Sequence, residues 1–431
     1  MKITHITSEE ILDSRGNPTL LTTVVLEDGN RGHAAVPSGA SKGIHEAHEL
    51  RDNDPKRYNG LGVLQAIHHV KTDIAHALLG MDAGDQIQID QVMKELDGTD
   101  SKSHFGANAI LSVSLAVARA EASAEKKELY EYLAKFSTSF SGKYILPLPQ
   151  MNILNGGKHA NWATDIQEYI ILPVIAATIQ ERVRIGSEVY HHLYQILKDK
   201  KYTTTVGDEG GFAPLVQSNE EPFHLLQQAV ENAGFMPGKE VVFGIDAAAS
   251  EFFTDGSYHL SKENKTLSAD ELGALYQDLM QKYPIISFED IFEQDDFDAF
   301  AKFHEKVGEK IQVTGDDLYA TNPQRLKKGI EAKASNAILV KLNQIGTLSE
   351  TIEVINMAHK HNIQTVVSHR SGETDDAFIA DLAVAMGSTQ IKIGALARGE
   401  RIAKYNRLMT IERHLGEKAQ SAVIPFSTQA T

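Results

Sequence analysis

The chain contains no cysteine, which excludes disulfide staples, thiolate metal sites and a cysteine nucleophile, and fits a reducing compartment such as the cytoplasm. Long hydrophobic runs are also missing. No stretch of 18 apolar residues suggests a membrane span, and the N-terminal MKITHITSEE lacks the apolar core of a signal peptide. Positive charge is in deficit, with 42 basic residues against 58 acidic ones and a net charge of −16. Most of the surface therefore repels nucleic acid and anionic membrane, so an anionic substrate needs a local cationic pocket or a metal. Walker and dinucleotide signatures are absent too. VPSGASKGIHE lacks the GxxxxGK[ST] pattern, and GLGVLQ has Gln65 where a dinucleotide fingerprint needs its third glycine.

What remains is an ordinary soluble composition, 42% hydrophobic and 23% charged over 431 residues, which predicts two domains, one of them a large barrel. In the first 140 residues, LLTTVVLEDG and RGHAAVPSG read as a β-hairpin turned at Asp28-Gly29. GVLQAIHHVKTDIAHALLG places Val63, Ile67, Val70, Ile74 and Leu78 at helical spacing, and GANAILSVSLAVARAEASAEK reads as a long alanine-rich helix. This predicts an α+β domain over residues 1–141, with STSFSGKY as the boundary and residues 142–431 as the second domain.

The pattern then changes. VVFGIDAA, PIISFED, IQVTGDD, NAILVKL, QTVVSHR and QIKIG are short apolar runs separated by helical stretches, as buried parallel strands of an α/β barrel require. Each ends in a polar residue, in order Asp246, Glu289, Asp316, Lys341, His369 and Lys392, spaced 23 to 43 residues apart. One strand, one helix and two loops fill such an interval, so the six side chains are expected at one rim of the barrel, where this fold places chemistry. MNILNGGKHANWATDIQEYIILP has two strand-like runs with no room for a helix between them, which predicts an antiparallel pair and an irregular start to the barrel.

A single acid at a strand end is usually a turn former or helix cap. Three on successive strands, without cysteine or HExxH, instead make a pocket of hard oxygens suited to Mg²⁺. Lys341 and Lys392 lie within apolar strands, and two lysines so close to metal and to each other are expected to include one with a lowered pKa that can take a proton from carbon. Glu209 in TVGDEGG is flanked by glycines that allow close substrate approach. His369, Arg370 and Ser371 in SHRSGET suit carboxylate or phosphate recognition, and VPSGASKGIHE suits a lid. Of 18 histidines most fall on helical faces, whereas His159 sits in a glycine-rich loop at the presumed rim.

EILDSRGNPT, VPSGAS, LDGT, FGANAILSVSLA, LPLPQMNILNGG, VGDEGG, SFED, GDDLYATNP, LVKLNQIGT, VSHRSGET and ARGER occur in this order, and the series resembles the enolase family almost end to end. The resemblance implies an N-terminal α+β capping domain followed by an irregular enolase-type (β/α)8 TIM-like barrel. It also implies reversible dehydration of 2-phosphoglycerate to phosphoenolpyruvate with two Mg²⁺ per active site. On this resemblance Asp246, Glu289 and Asp316 bind one ion, and Ser41 in the lid ligates the second. Lys341 is the base, and Glu209 is the acid with Glu168 beside it. Lys392 neutralises the carboxylate, Arg370 and Ser371 hold the phosphate, and Gln167, His159 and His369 complete the pocket.

The sequence departs from the family at Lys42, Ile291, Ile393 and Leu396, where threonine, proline, threonine and proline are usual. The resemblance further implies a cytoplasmic homodimer or octamer of dimers with the DSRGNPT region near the dimer contact, and a secondary secreted or cell-surface pool in some members. Plasminogen binding through a C-terminal lysine is not expected, since the chain ends Gln429-Ala430-Thr431. Two rival readings are another lyase or racemase of the broader superfamily, and a divergent paralogue or non-catalytic binding protein with the same fold.

Overall fold

The computed structural model describes residues 1–40 and 43–426. β1 (Ile3–Leu12), β2 (Pro18–Leu26) and β3 (Arg31–Ala35) form an antiparallel meander, with Leu21 opposite Ala35 and Val25 opposite Arg31. The predicted hairpin is thus β2–β3, and β1 adds a strand that the sequence reading did not include. Helices α1 (Leu64–His69) and α2 (Ala75–Leu78) are joined by a π-helical turn at Val70–Ile74, and α3 (Gln86–Asp97), α4 (Ala107–Ala124) and α5 (Leu129–Leu133) follow.

α4 is the centre of this domain. It is buried almost all round, so it needs a partner on every side: β2 and β3 on one, α3, α5 and barrel elements on others. Its alanines and serines allow that closeness. At Gly32 on β3, a Cβ would lie 2.2 Å from the backbone oxygen of Ala116 and the nitrogen of Ala120.

The second domain opens with β4 (Tyr144–Leu146), β5 (Leu148–Asn155) and β6 (Glu168–Pro173), then α6 (Ile179–Asp199), α7 (Glu221–Asn232) and β7 (Val241–Asp246). A small sheet of β8 (Phe253–Thr254), β9 (Ser257–Leu260) and β10 (Lys265–Leu267) precedes α8 (Ala269–Lys282). Strand and helix then alternate. The order is β11 (Ile285–Glu289), α9 (Phe297–Val307), β12 (Gln312–Gly315), α10 (Pro323–Ala332) and β13 (Ala337–Val340). After α11 (Leu342–Ile345) and α12 (Leu348–Lys360) come β14 (Gln364–Ser368), α13 (Phe378–Met386), β15 (Gln390–Lys392) and α14 (Gly399–Leu415). β16 (Ala419–Ser421) returns to pair with β4.

Eight of these strands close a barrel in the order β5-β6-β7-β11-β12-β13-β14-β15. Every neighbour pair is parallel except those of β6, which runs antiparallel to both β5 and β7. The protein is therefore an α/β chain with an N-terminal α+β domain and an irregular TIM-type barrel. Low in the barrel, Leu148, Ile170, Leu172, Val242 and Ile286 form an apolar plug. The interior also holds a polar layer, in which Gln390 donates to Gln312, Gln150 donates to Gln390, and Gln312 donates to Ser287 and Thr314. Those groups are buried and mutually satisfied, which fixes the barrel interior without apolar packing.

Among the described residues, no helix is long and apolar enough to cross a membrane. Ile291 and Ile393 are fully buried, and Leu396 packs against the core, so three of the four departures from the family pattern fill apolar positions. Lys42 and Ser41 lie outside the described residues.

Candidate active site

The carboxylates are brought together by strand register. Glu168 pairs with Asp246 across β6–β7, and Asp246 pairs with Glu289 across β7–β11, so the three occupy one row of the ladder and face the same interior. From the opposite side Lys392 sends its ammonium to all of them, 3.0 Å from Glu168 Oε2, 3.1 Å from Asp246 Oδ2 and 2.9 Å from Glu289 Oε1. Burial and the adjacent Asp246 push Glu289 well above the usual carboxylate range.

Asp316 follows β12 and Lys341 follows β13, where they form a close ion pair. Asp316 Oδ1 also accepts from Gln344 Nε2 at 2.9 Å. Asp290, at a positive φ of 43°, accepts the backbone N–H groups of Asp316 and Asp317 at 2.8 and 2.7 Å. It thereby fixes the turn that presents Asp316.

Glu209 reaches the same cavity from the loop after α6. Gly210 has φ +88°, a left-handed conformation that glycine adopts at least cost, and a Cβ on Gly211 would meet Asn155 Oδ1 at 2.3 Å. Glu209 Oε2 accepts from Asn152 Nδ2 at 2.8 Å and lies 3.5 Å from His369 Nε2, while Oε1 lies 3.6 Å from His159 Nδ1. Glu168 stands 3.6 Å from the same His159 nitrogen. Burial and the nearby Glu209 charge push Glu168 well up, whereas His369 and His159 hold Glu209 down despite its burial. His159 and Gln167 lie at either end of the loop that precedes β6. That loop also carries Trp162, 42% exposed and at φ 60°. Gln167 Oε1 is buried without a hydrogen-bond partner.

Arg370 and Ser371 follow β14 and meet the first domain. The Arg370 guanidinium donates to both carboxylate oxygens of Glu46, at 2.9 and 3.0 Å, and to Asn343 Oδ1 at 2.9 Å. Ser371 Oγ accepts from the Ala40 backbone at 2.7 Å, and Ser38 forms a two-way backbone bridge with Gly372. The segment read as a lid thus lies on the barrel rim on both sides of residues 41 and 42.

Most of the proposed site residues line one narrow cavity of about 20 Å³, whose lining includes His159, Gln167, Glu168, Glu209, Asp246, Asp316, Lys341, His369, Arg370, Ser371 and Lys392. Glu289 is not among the lining residues but is paired with Lys392, which is. Local patterns did not single out Glu46, Asn152, Asp290, Asp317, Asn343, Gln344 or Arg401. Arg401 does lie in the ARGER run, and Gln344 in LVKLNQIGT.

The two lysines differ from expectation in the metal-free structure. Without metal, Asp316 and the carboxylates around Lys392 raise both ammonium groups despite their burial. Acids outnumber bases in the pocket, so each lysine is held charged.

The donor set fits a hard divalent cation. Asp246, Glu289 and Asp316 offer only oxygen, at the ends of neighbouring strands, in a cavity with more buried acids than its two ammonium groups neutralise. Their oxygens are drawn toward the two ammonium groups. Among the described residues, the groups of three whose ligand atoms lie within 4.8 Å of one another are Asp290, Asp316 and Asp317, and His159, Glu168 and Glu209.

A TIM-type barrel with a reversed second strand, a capping domain on its catalytic rim, and acids and lysines at successive strand ends define a magnesium-dependent dehydratase of the enolase superfamily. The family model for the enolase C-terminal TIM barrel domain matches residues 143–429, and that for the enolase N-terminal domain matches residues 3–133. The chain belongs to the enolase family.

Proposed function

We propose that the protein is an enolase in the strict sense, a lyase that reversibly dehydrates 2-phosphoglycerate to phosphoenolpyruvate in glycolysis and gluconeogenesis. The observation that carries this reading is the mix of chemistries lining one cavity: Lys341, the Glu168–Glu209 pair with His159 and His369, and Arg370 with Ser371. A three-carbon phosphorylated hydroxy acid matches that arrangement, whereas a superfamily racemase needs neither the acid pair nor the anion end.

In this reading Lys341 removes the C2 proton, and the Glu168–Glu209 pair protonates the departing C3 hydroxyl. Lys392 and Gln167 orient the substrate carboxylate, and Arg370 and Ser371 hold the phosphate. Asp246, Glu289 and Asp316 would hold one Mg²⁺, and Ser41 would complete the site of a second. Bound there, magnesium supplies positive charge to the substrate carboxylate as negative charge builds up on it. Sharing Asp316 with a cation also weakens the attraction that keeps Lys341 protonated, so metal loading favours its role as base. A cytoplasmic homodimer or octamer is part of the same proposal, as is the division of the chain at residue 141.

The test separates the two steps. Lys341→Ala is expected to abolish solvent exchange of the C2 proton, whereas Glu209→Gln retains exchange and blocks formation of the conjugated, ultraviolet-absorbing product. Loss of exchange in both variants with metal binding intact would overturn these roles.

A further inference from the structure

His369 lies between Glu209 and Arg401, a residue of α14 with no exposed surface. Arg401 donates from Nη1 to His369 Nδ1 and to the Arg370 carbonyl, both at 2.6 Å. Its Nη2 donates to the carbonyls of Ser371 at 2.6 Å and Asp208 at 3.0 Å. These bonds tie the loop after β14 to the loop that carries Glu209. They also settle a question of protonation. A guanidinium has five donors and no acceptor, so the ring nitrogen facing it must present a lone pair. In a neutral imidazole the proton then sits on Nε2. That nitrogen faces Glu209 Oε2 at 3.5 Å and is buried with no hydrogen-bond partner.

We propose that Arg401 is a positioning residue that locks His369 as the neutral Nε2–H tautomer, aiming a fixed N–H donor at the oxygen that leaves or adds at C3. The proposal rests on the dehydration reading above and adds a part to it. His369 becomes a hydrogen-bond donor that does not itself exchange a proton, so the transferable proton at this end of the pocket stays on the carboxylates. The imidazolium form would put a proton on Nδ1, directly against the guanidinium. The charged groups around the ring are Glu209 in front, Arg401 behind and Lys392 on β15, whose carbonyl accepts the His369 backbone N–H at 2.9 Å. Burial pushes the imidazole down to about 3, with Glu209 opposing and Arg401 and Lys392 reinforcing the shift. Gly394 holds this packing tight, because a Cβ there would lie 2.7 Å from the Glu209 carbonyl and 3.1 Å from His369 Cε1.

Nitrogen-15 NMR of the histidine-labelled, Mg²⁺-saturated protein without substrate tests this directly, with His369 assigned by the signals lost in His369→Asn. Long-range proton–nitrogen correlations are expected to show an unprotonated Nδ1 and a protonated Nε2 from about pH 5 to pH 8, across the range where an ordinary histidine titrates. In Arg401→Gln, whose amide both donates and accepts, Nδ1 is no longer confined to a lone pair, so an Nδ1–H population should appear and the imidazole pKa should rise, while burial and Lys392 still hold it below the ordinary histidine value. The acid limb of kcat should move to higher pH, and Arg401→Lys should restore it. An Nδ1–H or doubly protonated ring in the wild-type protein at pH 7 overturns the proposal, whether or not the variants fold. So does a folded Arg401→Gln protein with wild-type His369 signals and pH profile. Because the spectra need no turnover, the expected tautomer in a protein inactive on 2-phosphoglycerate would overturn the dehydration reading alone.

Discussion

Lys392 is a single ammonium facing three buried carboxylates, and removing one partner from such a cluster leaves uncompensated buried charge. Lys392→Met is expected to cost about 3–5 kcal/mol in metal-free protein. Calorimetry should show that Mg²⁺ raises Tm more in this variant than in the wild type, because the cation replaces the missing charge. An equal rise in both would show that the ion binds away from these carboxylates. Asp246, Glu289, Asp316 and the two lysines were legible in the sequence because each stands at the C-terminal end of a short apolar strand, and Glu209 because glycines flank it. Their supporting residues were not. Arg370 and Glu46 are 324 positions apart, and no local pattern reports a contact made only when the capping domain meets the barrel. The raised lysine pKa values escaped for a similar reason, since spacing shows that charges converge but not which sign prevails.

Secondary structure was most readable where one period dominated. The barrel strands are apolar runs because both faces are covered, and α4 declares itself by its alanine-rich continuity. β1 was harder to recognise. It pairs only with β2, and its exposed threonine, histidine and glutamate positions blur the alternation that marks a strand. The close approach of β3 to α4 gives a test at this scale. Gly32→Ala places a methyl group against the α4 backbone, which cannot move as a side-chain tip can, and about 2–3 kcal/mol should be lost to overpacking. Urea unfolding should show the loss, while kcat of the folded fraction stays unchanged. A neutral result would mean that α4 shifts freely relative to the sheet.

The two domains are fastened where α12 meets the helices of the first domain. Asp90 Oδ2 accepts from the Ser349 backbone at 2.9 Å, Ser114 Oγ accepts from Leu348 at 3.0 Å, and Lys102 pairs with Glu350 at 3.1 Å. Burial pushes Asp90 from 3.8 up to about 6. A raised acid contributes stability below its unfolded value and loses that contribution as pH rises through its folded one. Unfolding free energy should therefore carry a downward slope between about pH 4 and pH 7 that Asp90→Asn removes, by an amount on the order of 2–3 kcal/mol. Parallel slopes in both proteins would place the titration elsewhere. The reversed β6 has a different consequence. Because it enters the barrel from the catalytic end, the loop before it lies on the rim, and that loop holds the only tryptophan in the chain. The molecule thus carries its own optical probe: indole emission arises solely from Trp162, so the filling of the cavity that His159 and Gln167 of the same loop line can be followed by fluorescence without attaching a dye.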